Sequence, residues 1–167
     1  MIAYIVIPVF LLVICAMAGR SLVKNSRKKR KQMAVASTCD RFMRMSRLAI
    51  EDADFFNYRY IGLDRRNKKL LLIDHSNREK QELCIPLPEI GESRIIYVKE
   101  DEQGINHILL ELRNKRTDQR LQFCFFDKEK DRLTELSMLA RKAVNWKTRI
   151  DIHKHPGNGC AGSEYVL

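Results

Sequence analysis

Several residue types in this chain could take part in catalysis, but their spacing forms no catalytic arrangement. Four histidines lie far apart, and none stands in a nucleophile context such as G-x-S-x-G. The sequence contains no glycine-rich phosphate loop. Its carboxylates fall mainly in predicted turns and on the last predicted helix, where i,i+4 ion pairs and solubility account for them. We therefore expect no enzymatic activity, no catalytic residue and no cofactor.

A metal site is not expected either. His153, His155 and Cys160 could be considered as ligands, but no fourth ligand follows at a suitable spacing and the glycines around them fix no geometry. The cysteines contain no C-x-x-C pair, which is typical of reduced thiols in the cytosol rather than of a disulfide framework. They are Cys15, Cys39, Cys84, Cys124 and Cys160.

The strongest charge feature is the stretch RSLVKNSRKKRKQ, residues 20–32, which contains seven cations and no acid. Those cations are Arg20, Lys24, Arg27, Lys28, Lys29, Arg30 and Lys31. The whole chain has a net charge of +10, so the remainder carries 10 − 7 = +3. The charge is thus concentrated in one segment, which favours a local role at head groups or phosphates over a uniformly basic surface.

Residues 1–19, MIAYIVIPVFLLVICAMAG, carry no charged side chain. As a helix they would be about 28 Å long, close to the ~30 Å hydrocarbon core of a bilayer. A cleaved signal peptide would have its charge before the apolar run, whereas here the charge follows it. We predict a retained transmembrane anchor, with a cleaved signal or a buried core helix as alternatives.

The position of the basic stretch also predicts the orientation. Lys and Arg next to a membrane helix stay on the cytoplasmic side. All seven cations follow the apolar segment, so we expect a single-pass protein of the cell (inner) membrane with its N-terminus outside. Residues 20–36 then form a basic juxtamembrane segment in contact with the membrane surface, and the rest of the chain is cytoplasmic.

Residues 37–54 have the pattern of an amphipathic helix. Ser37 and Asp40 resemble a capping box, and Phe42, Met45 and Leu48 follow helical spacing. The helix could pack on the following domain, serve as a stalk or lid, or lie on lipid.

From residue 57 the apolar period becomes that of strands. Pro86 and Pro88 restrict their segment to the edge of a sheet. The pattern predicts an antiparallel β sandwich or small barrel of six strands. The predicted strands are 57–64, 69–74, 82–90, 93–100, 105–113 and 120–127.

A long helix is predicted over 128–150, followed by a flexible Gly-rich tail, 151–167. Its apolar residues recur at three- and four-residue spacing, which is typical of a helix that covers an open side of the strands. They are Leu136, Leu139, Ala143, Trp146 and Ile150.

The order of elements over residues 55–150 resembles the pleckstrin-homology-like (PH-like) fold. The resemblance is carried by YIGLDRRNKKLLLID, by IPLPEIGESRIIYV, and by Trp146, which is similar to the helix tryptophan of pleckstrin-homology domains. It implies a mainly β domain, usually of seven strands, with a C-terminal helix. It also implies binding of lipids, peptides or proteins rather than catalysis.

In lipid-binding members of that superfamily the first hairpin loop supplies cations to phosphates. Here the resemblance assigns that role to Arg65, Arg66, Lys68 and Lys69, while an ordinary solvated turn is the alternative. We expect a membrane-anchored binding or scaffolding module that contacts membrane lipids and an unidentified protein partner. A basic nucleic-acid-binding protein and an oligomerising component of an envelope assembly are the alternative functions, and nucleic acid is the less favoured partner.

Overall fold

The computed structural model describes residues 29–77, 79–99 and 104–154. Helix α1 covers residues 29–46. Seven strands follow, and helix α2 (Leu136–Lys154) ends the described chain. The strands are β1 Asp52–Phe56, β2 Arg59–Asp64, β3 Lys69–Asp74, β4 Gln81–Pro86, β5 Ile90–Lys99, β6 Ile105–Asn114 and β7 Arg120–Asp127. The predicted mainly β class with a C-terminal helix is confirmed.

The strands form two antiparallel sheets. Sheet A has the order β1-β2-β3-β4, and sheet B has the order β5-β6-β7. β4 is an edge strand, as the two prolines of its segment predicted. The predicted strand 82–90 was too long, because β4 ends at Pro86 and Leu87–Glu89 form a 3-10 helix. In the β2–β3 hairpin, Asp64 pairs with Lys69, so the turn between them consists of residues 65–68.

The main hydrophobic core lies between the two sheets and α2. Ile61 and Leu72 of sheet A and Phe123 and Phe125 of sheet B are fully buried in it. The rings of Phe123 and Phe125 meet edge to face at 5.5 Å between centroids. Each such side chain contributes about 1.5–3 kcal/mol on burial, so this cluster is the main source of stability.

Helix α2 buries the predicted stripe against this core, with Leu139, Ala143, Trp146 and Ile150 at most 1% exposed. Trp146 Nε1 donates a hydrogen bond of 2.8 Å to Asp54 Oδ2. The predicted start at residue 128 was wrong, because residues 128–130 form a turn and a short 3-10 helix, Leu133–Glu135, precedes α2. The helix also continues to Lys154, so residues 151–154 do not belong to a flexible tail.

The predicted helix over 37–54 was misplaced. Helix α1 covers 29–46, and the chain then changes direction at Arg47, whose φ is 50°. The Glu51 N–H donates to the Leu63 carbonyl, and strand β1 begins at Asp52. Residues 52–54 are therefore strand, and β1 is a seventh strand that the sequence pattern did not predict.

Helix α1 packs on the face of sheet A that points away from the main core. Val35 and Cys39 of α1 are buried there with Leu71 and Ile73 of β3. This second cluster explains why β3 is a continuous apolar run, since both of its faces are covered. Of the arrangements left open by the sequence, the structure has the helix packed on the domain.

Neither helix of the described residues is long and apolar enough to span a bilayer. The apolar segment 1–19 lies outside the described residues, as do residues 155–167. The anchor, its orientation and the cell-membrane location remain predictions. Within the described residues, no three His, Cys, Asp or Glu side chains are grouped so that they could hold a metal ion.

Candidate functional site

The β2–β3 turn is organised by two side chains, Asp64 and Asn67. Asp64 Oδ1 accepts the Asn67 N–H at 2.8 Å, and Oδ2 accepts Asn67 Nδ2 at 2.7 Å and the Ala49 N–H at 2.8 Å. Burial alone would raise the pKa of Asp64, but these hydrogen bonds outweigh it and lower the pKa below its ordinary value. The turn is therefore built on a buried, ionised carboxylate.

The four cations assigned to this turn by the resemblance have different surroundings. The Arg65 guanidinium pairs with Asp52, and the backbone N–H of Arg65 donates to Glu51 Oε2 at 2.6 Å. Lys69 is half-buried in β3 opposite Pro86. Arg66 and Lys68 are exposed, and neither side chain has an ion-pair partner within the described residues. Two of the four predicted cations are thus available to an external anion.

The end of α1 adds two further arginines to this region. Asn67 Nδ2 donates to the Arg47 carbonyl at 3.3 Å, which brings the last turn of the helix against the hairpin. Arg44 and Arg47 are exposed there. We call Arg44, Arg47, Arg66 and Lys68 the basic turn surface. The D-x-x-N spacing of Asp64 and Asn67 was a sequence signal for a side-chain-stabilised turn, but nothing local indicated that α1 would meet it.

The basic stretch is only partly described. Arg20, Lys24, Arg27 and Lys28 lie outside the described residues. Lys29, Arg30 and Lys31 are exposed in the first turn of the described part of α1. Lys31 Nζ lies 5.4 Å from the centroid of the Tyr58 ring, in the β1–β2 turn. The basic stretch and the basic turn surface are therefore at opposite ends of α1.

The end of sheet A near Tyr58 contains a buried arginine, Arg59, that no local sequence pattern marked. Arg59 is fully buried and pairs with Asp131 at 2.8 Å and Asp74 at 3.4 Å. Asp131 Oδ2 also accepts the Asp127 N–H at 2.8 Å. We call Arg59, Asp74 and Asp131 the buried arginine cluster. It joins β2, β3 and the turn after β7, which is a structural role.

Two cavities lie along β4. One of about 210 Å³ separates the Pro86 end of β4 from sheet B and is lined by apolar groups of Ile85, Pro86, Ile90 and Leu121. It lies at the edge strand that Pro86 and Pro88 indicated, and an edge strand can accept an extended peptide as an added strand. The other, about 720 Å³, lies beside Asp74 and Glu82 and the loop between β3 and β4.

The aromatic and thiol side chains have mainly structural surroundings. Phe123 and Phe125 are fully buried, so their rings are not available for stacking on nucleic-acid bases. Burial raises the pKa of the Cys124 thiol to about 11, so it stays protonated and unreactive at neutral pH.

Comparison with protein-family models, with curated proteins and with solved structures found no match to this chain, so its function is argued from its own residues.

Proposed function

We propose that this chain is a single-pass, membrane-anchored binding module without catalytic activity. Its PH-like domain would lie on the cytoplasmic side of the cell membrane and present a surface to anionic lipid or to a protein partner. The architecture supports this proposal: a four-stranded and a three-stranded antiparallel sheet are followed by a helix whose buried tryptophan packs on the core. With β1 the domain has seven strands, which is the usual number in the PH-like fold.

Helix α1 supports the tethering part of the proposal. Only nine residues, 20–28, separate the predicted anchor from the described part of α1. A fully extended segment of that length spans at most about 32 Å. Because α1 is docked on sheet A through Val35 and Cys39, the domain would be held at the membrane with residue 29 no further than this distance from the bilayer. Confinement raises its effective concentration toward membrane partners.

The observation that carries the binding part is the basic turn surface. Arg66 and Lys68 are exposed without an ion-pair partner among the described residues, beside Arg44 and Arg47. Each cation near an anionic bilayer contributes about 1 kcal/mol. Four such cations form a weak lipid-binding site. Lipid would occupy this site only when the anchor holds the domain at the membrane, as expected for a tethered module rather than for a freely diffusing one.

The nucleic-acid alternative receives less support. Binding of single strands relies on exposed aromatic side chains on which bases stack. Phe123 and Phe125 are buried in the main core, and the exposed aromatic side chains of the described residues, Phe55 and Tyr97, lie on different sheets. No observation favours the oligomeric envelope component over the tethered module.

The anchor is tested with the full chain carrying a reporter active only in the cytosol, fused after Leu167. We expect the fusion in the membrane fraction, resistant to alkaline extraction, with reporter signal. Leu11→Arg/Leu12→Arg should release it to the soluble fraction, because each central charge costs about 3 kcal/mol in a bilayer. A wild-type chain that is soluble, or secreted with a trimmed N-terminus, would contradict the proposal.

A further inference from the structure

Helix α1 has a second face that is exposed among the described residues. Its inner face packs on sheet A through Val35, Thr38 and Cys39. The opposite face carries exposed residues at three- and four-residue spacing. They are Arg30, Met33, Ser37, Asp40 and Arg44, with Arg41 and Met45 on the flank near β4.

The composition of the uncovered face is that of a helix at a lipid surface. Met33 is 62% exposed and Met45 is 78% exposed. Three of the seven residues named on this face and its flank are cations, Arg30, Arg41 and Arg44, and one is an acid, Asp40. Flexible apolar side chains among arginines and lysines are typical of helices that lie in the head-group region. One cation, Arg41, also pairs with Glu82 at 2.5 Å.

We propose that α1 lies flat between sheet A and the bilayer, with its inner face on the domain and its outer face on anionic lipid. This inference rests on the proposed membrane anchor. It deepens that proposal by naming which side of the domain faces the membrane.

The distances favour a flat helix, with its axis parallel to the bilayer, over an upright helix, with its axis perpendicular to the bilayer. The 18 described residues of α1 span about 27 Å. In an upright helix the basic stretch would be at the bilayer, and Arg66 and Lys68 would be about 27 Å away, well beyond the ~10 Å screening length. In a flat helix both sets of cations reach the same lipid surface.

The test uses the full chain reconstituted into vesicles of phosphatidylcholine with phosphatidylglycerol. A photo-crosslinking phenylalanine replaces one exposed residue at a time. The lipid-facing positions are Met33 and Met45, and the matched controls are Met138 and Ile152 of α2, which are 47% and 65% exposed. Sheet A separates α1 from α2, so the controls lie on the far side of the domain.

We expect lipid adducts at positions 33 and 45, severalfold above those at 138 and 152. The adduct at 45 should fall severalfold in pure phosphatidylcholine or with Arg44→Glu. A chain that stays in the vesicles but crosslinks lipid at 33 and not at 45 has an upright α1, and the inference is then overturned. A chain that does not enter the vesicles and gives no adduct at any position shows instead that the anchor proposal has failed.

Discussion

Arg59 and Arg66 lie at opposite ends of strand β2, seven positions apart, and have opposite surroundings. Arg59 is fully buried and neutralised by Asp131 and Asp74. Arg66 is exposed on a turn whose carboxylate, Asp64, is occupied by backbone and amide donors. One residue type thus maintains the fold at one end of the strand and is available to a ligand at the other.

The comparison shows that a count of charges does not identify a binding surface. The net charge of +10 includes Arg59 and Arg65, which are committed to internal partners. Whether a cation is available to an external anion depends on whether a carboxylate of the protein already lies within reach of that cation. Beside the basic turn surface, Glu51 accepts the Arg65 N–H and Asp64 accepts Asn67 Nδ2, and neither acid pairs with Arg66 or Lys68.

The largest effect is expected from Arg59→Met. It should lower the free energy of unfolding by about 3–5 kcal/mol, because Asp74 and Asp131 would remain buried without a counter-charge. Urea unfolding followed by the fluorescence of Trp146, the only tryptophan, measures this. Arg66→Met is the matched control and should change the free energy by less than about 0.5 kcal/mol. Equal losses in the two variants would remove the distinction between the two ends.

Asp64→Asn should lower the free energy of unfolding by about 1–3 kcal/mol, because an amide cannot accept all three donors. The folded-state pKa of Asp64 is lowered, so its contribution is present above the ordinary aspartate pKa of about 3.9. That contribution is lost as the pH falls through the folded pKa. The difference in the free energy of unfolding between wild type and Asp64→Asn, measured by urea unfolding, should therefore shrink at acidic pH. An unchanged difference would argue against an ionised Asp64, and the exposed Asp40→Asn serves as the control.

Arg66→Ala/Lys68→Ala should weaken vesicle binding, since each cation contributes about 1 kcal/mol, or about fivefold in affinity. Flotation with anionic vesicles measures this on the full chain carrying Leu11→Arg/Leu12→Arg, so that insertion does not dominate. The control pair is Lys128→Ala/Arg132→Ala, exposed cations at the other end of the domain. Similar losses in both pairs would indicate that net charge, rather than the basic turn surface, holds the lipid.

The smallest effect is expected for the ion pair of Arg65 with Asp52, whose side chains are 49% and 18% exposed. A double-mutant cycle of Arg65→Ala and Asp52→Asn should give a coupling energy of about 0.2–1 kcal/mol in urea unfolding, because solvent screens the pair. Arg65→Ala alone should reduce vesicle affinity by less than the about fivefold expected for Arg66→Ala. A larger loss would place Arg65 in the binding surface despite its partner.

Strong periodicity made most of the fold predictable. The alternation in β6 and β7 and the stripe of α2 gave the correct elements, because each buries one face against the same core. Strand β1 was missed because Asp52 and Asp54 weaken its pattern. Its pairing with β2 comes from the turn at Asn57 and Tyr58, both with positive φ. The start of α2 was misplaced because Asp131 contacts Arg59 and the Asp127 backbone instead of opening the helix.

The candidate site was predictable in composition and not in geometry. The turn cations were identified from the sequence, but the engagement of Arg65 by Asp52 depends on the pairing of β1 with β2. The contribution of Arg44 and Arg47 depends on the docking of α1 at Asn67. Both are contacts between segments 13 to 20 residues apart, which a local pattern does not contain.

By itself, the sequence determined the mainly β class, the C-terminal helix, and the concentration of positive charge after an apolar N-terminal segment. These follow from the periodicity and order of side chains along the chain. Only the tertiary structure decided that Arg59 is buried and Arg66 exposed, and that α1 covers sheet A with one face and leaves a basic face open. The physical reason is that the effect of a charge depends on its solvent exposure and its nearest counter-charge, and folding sets both.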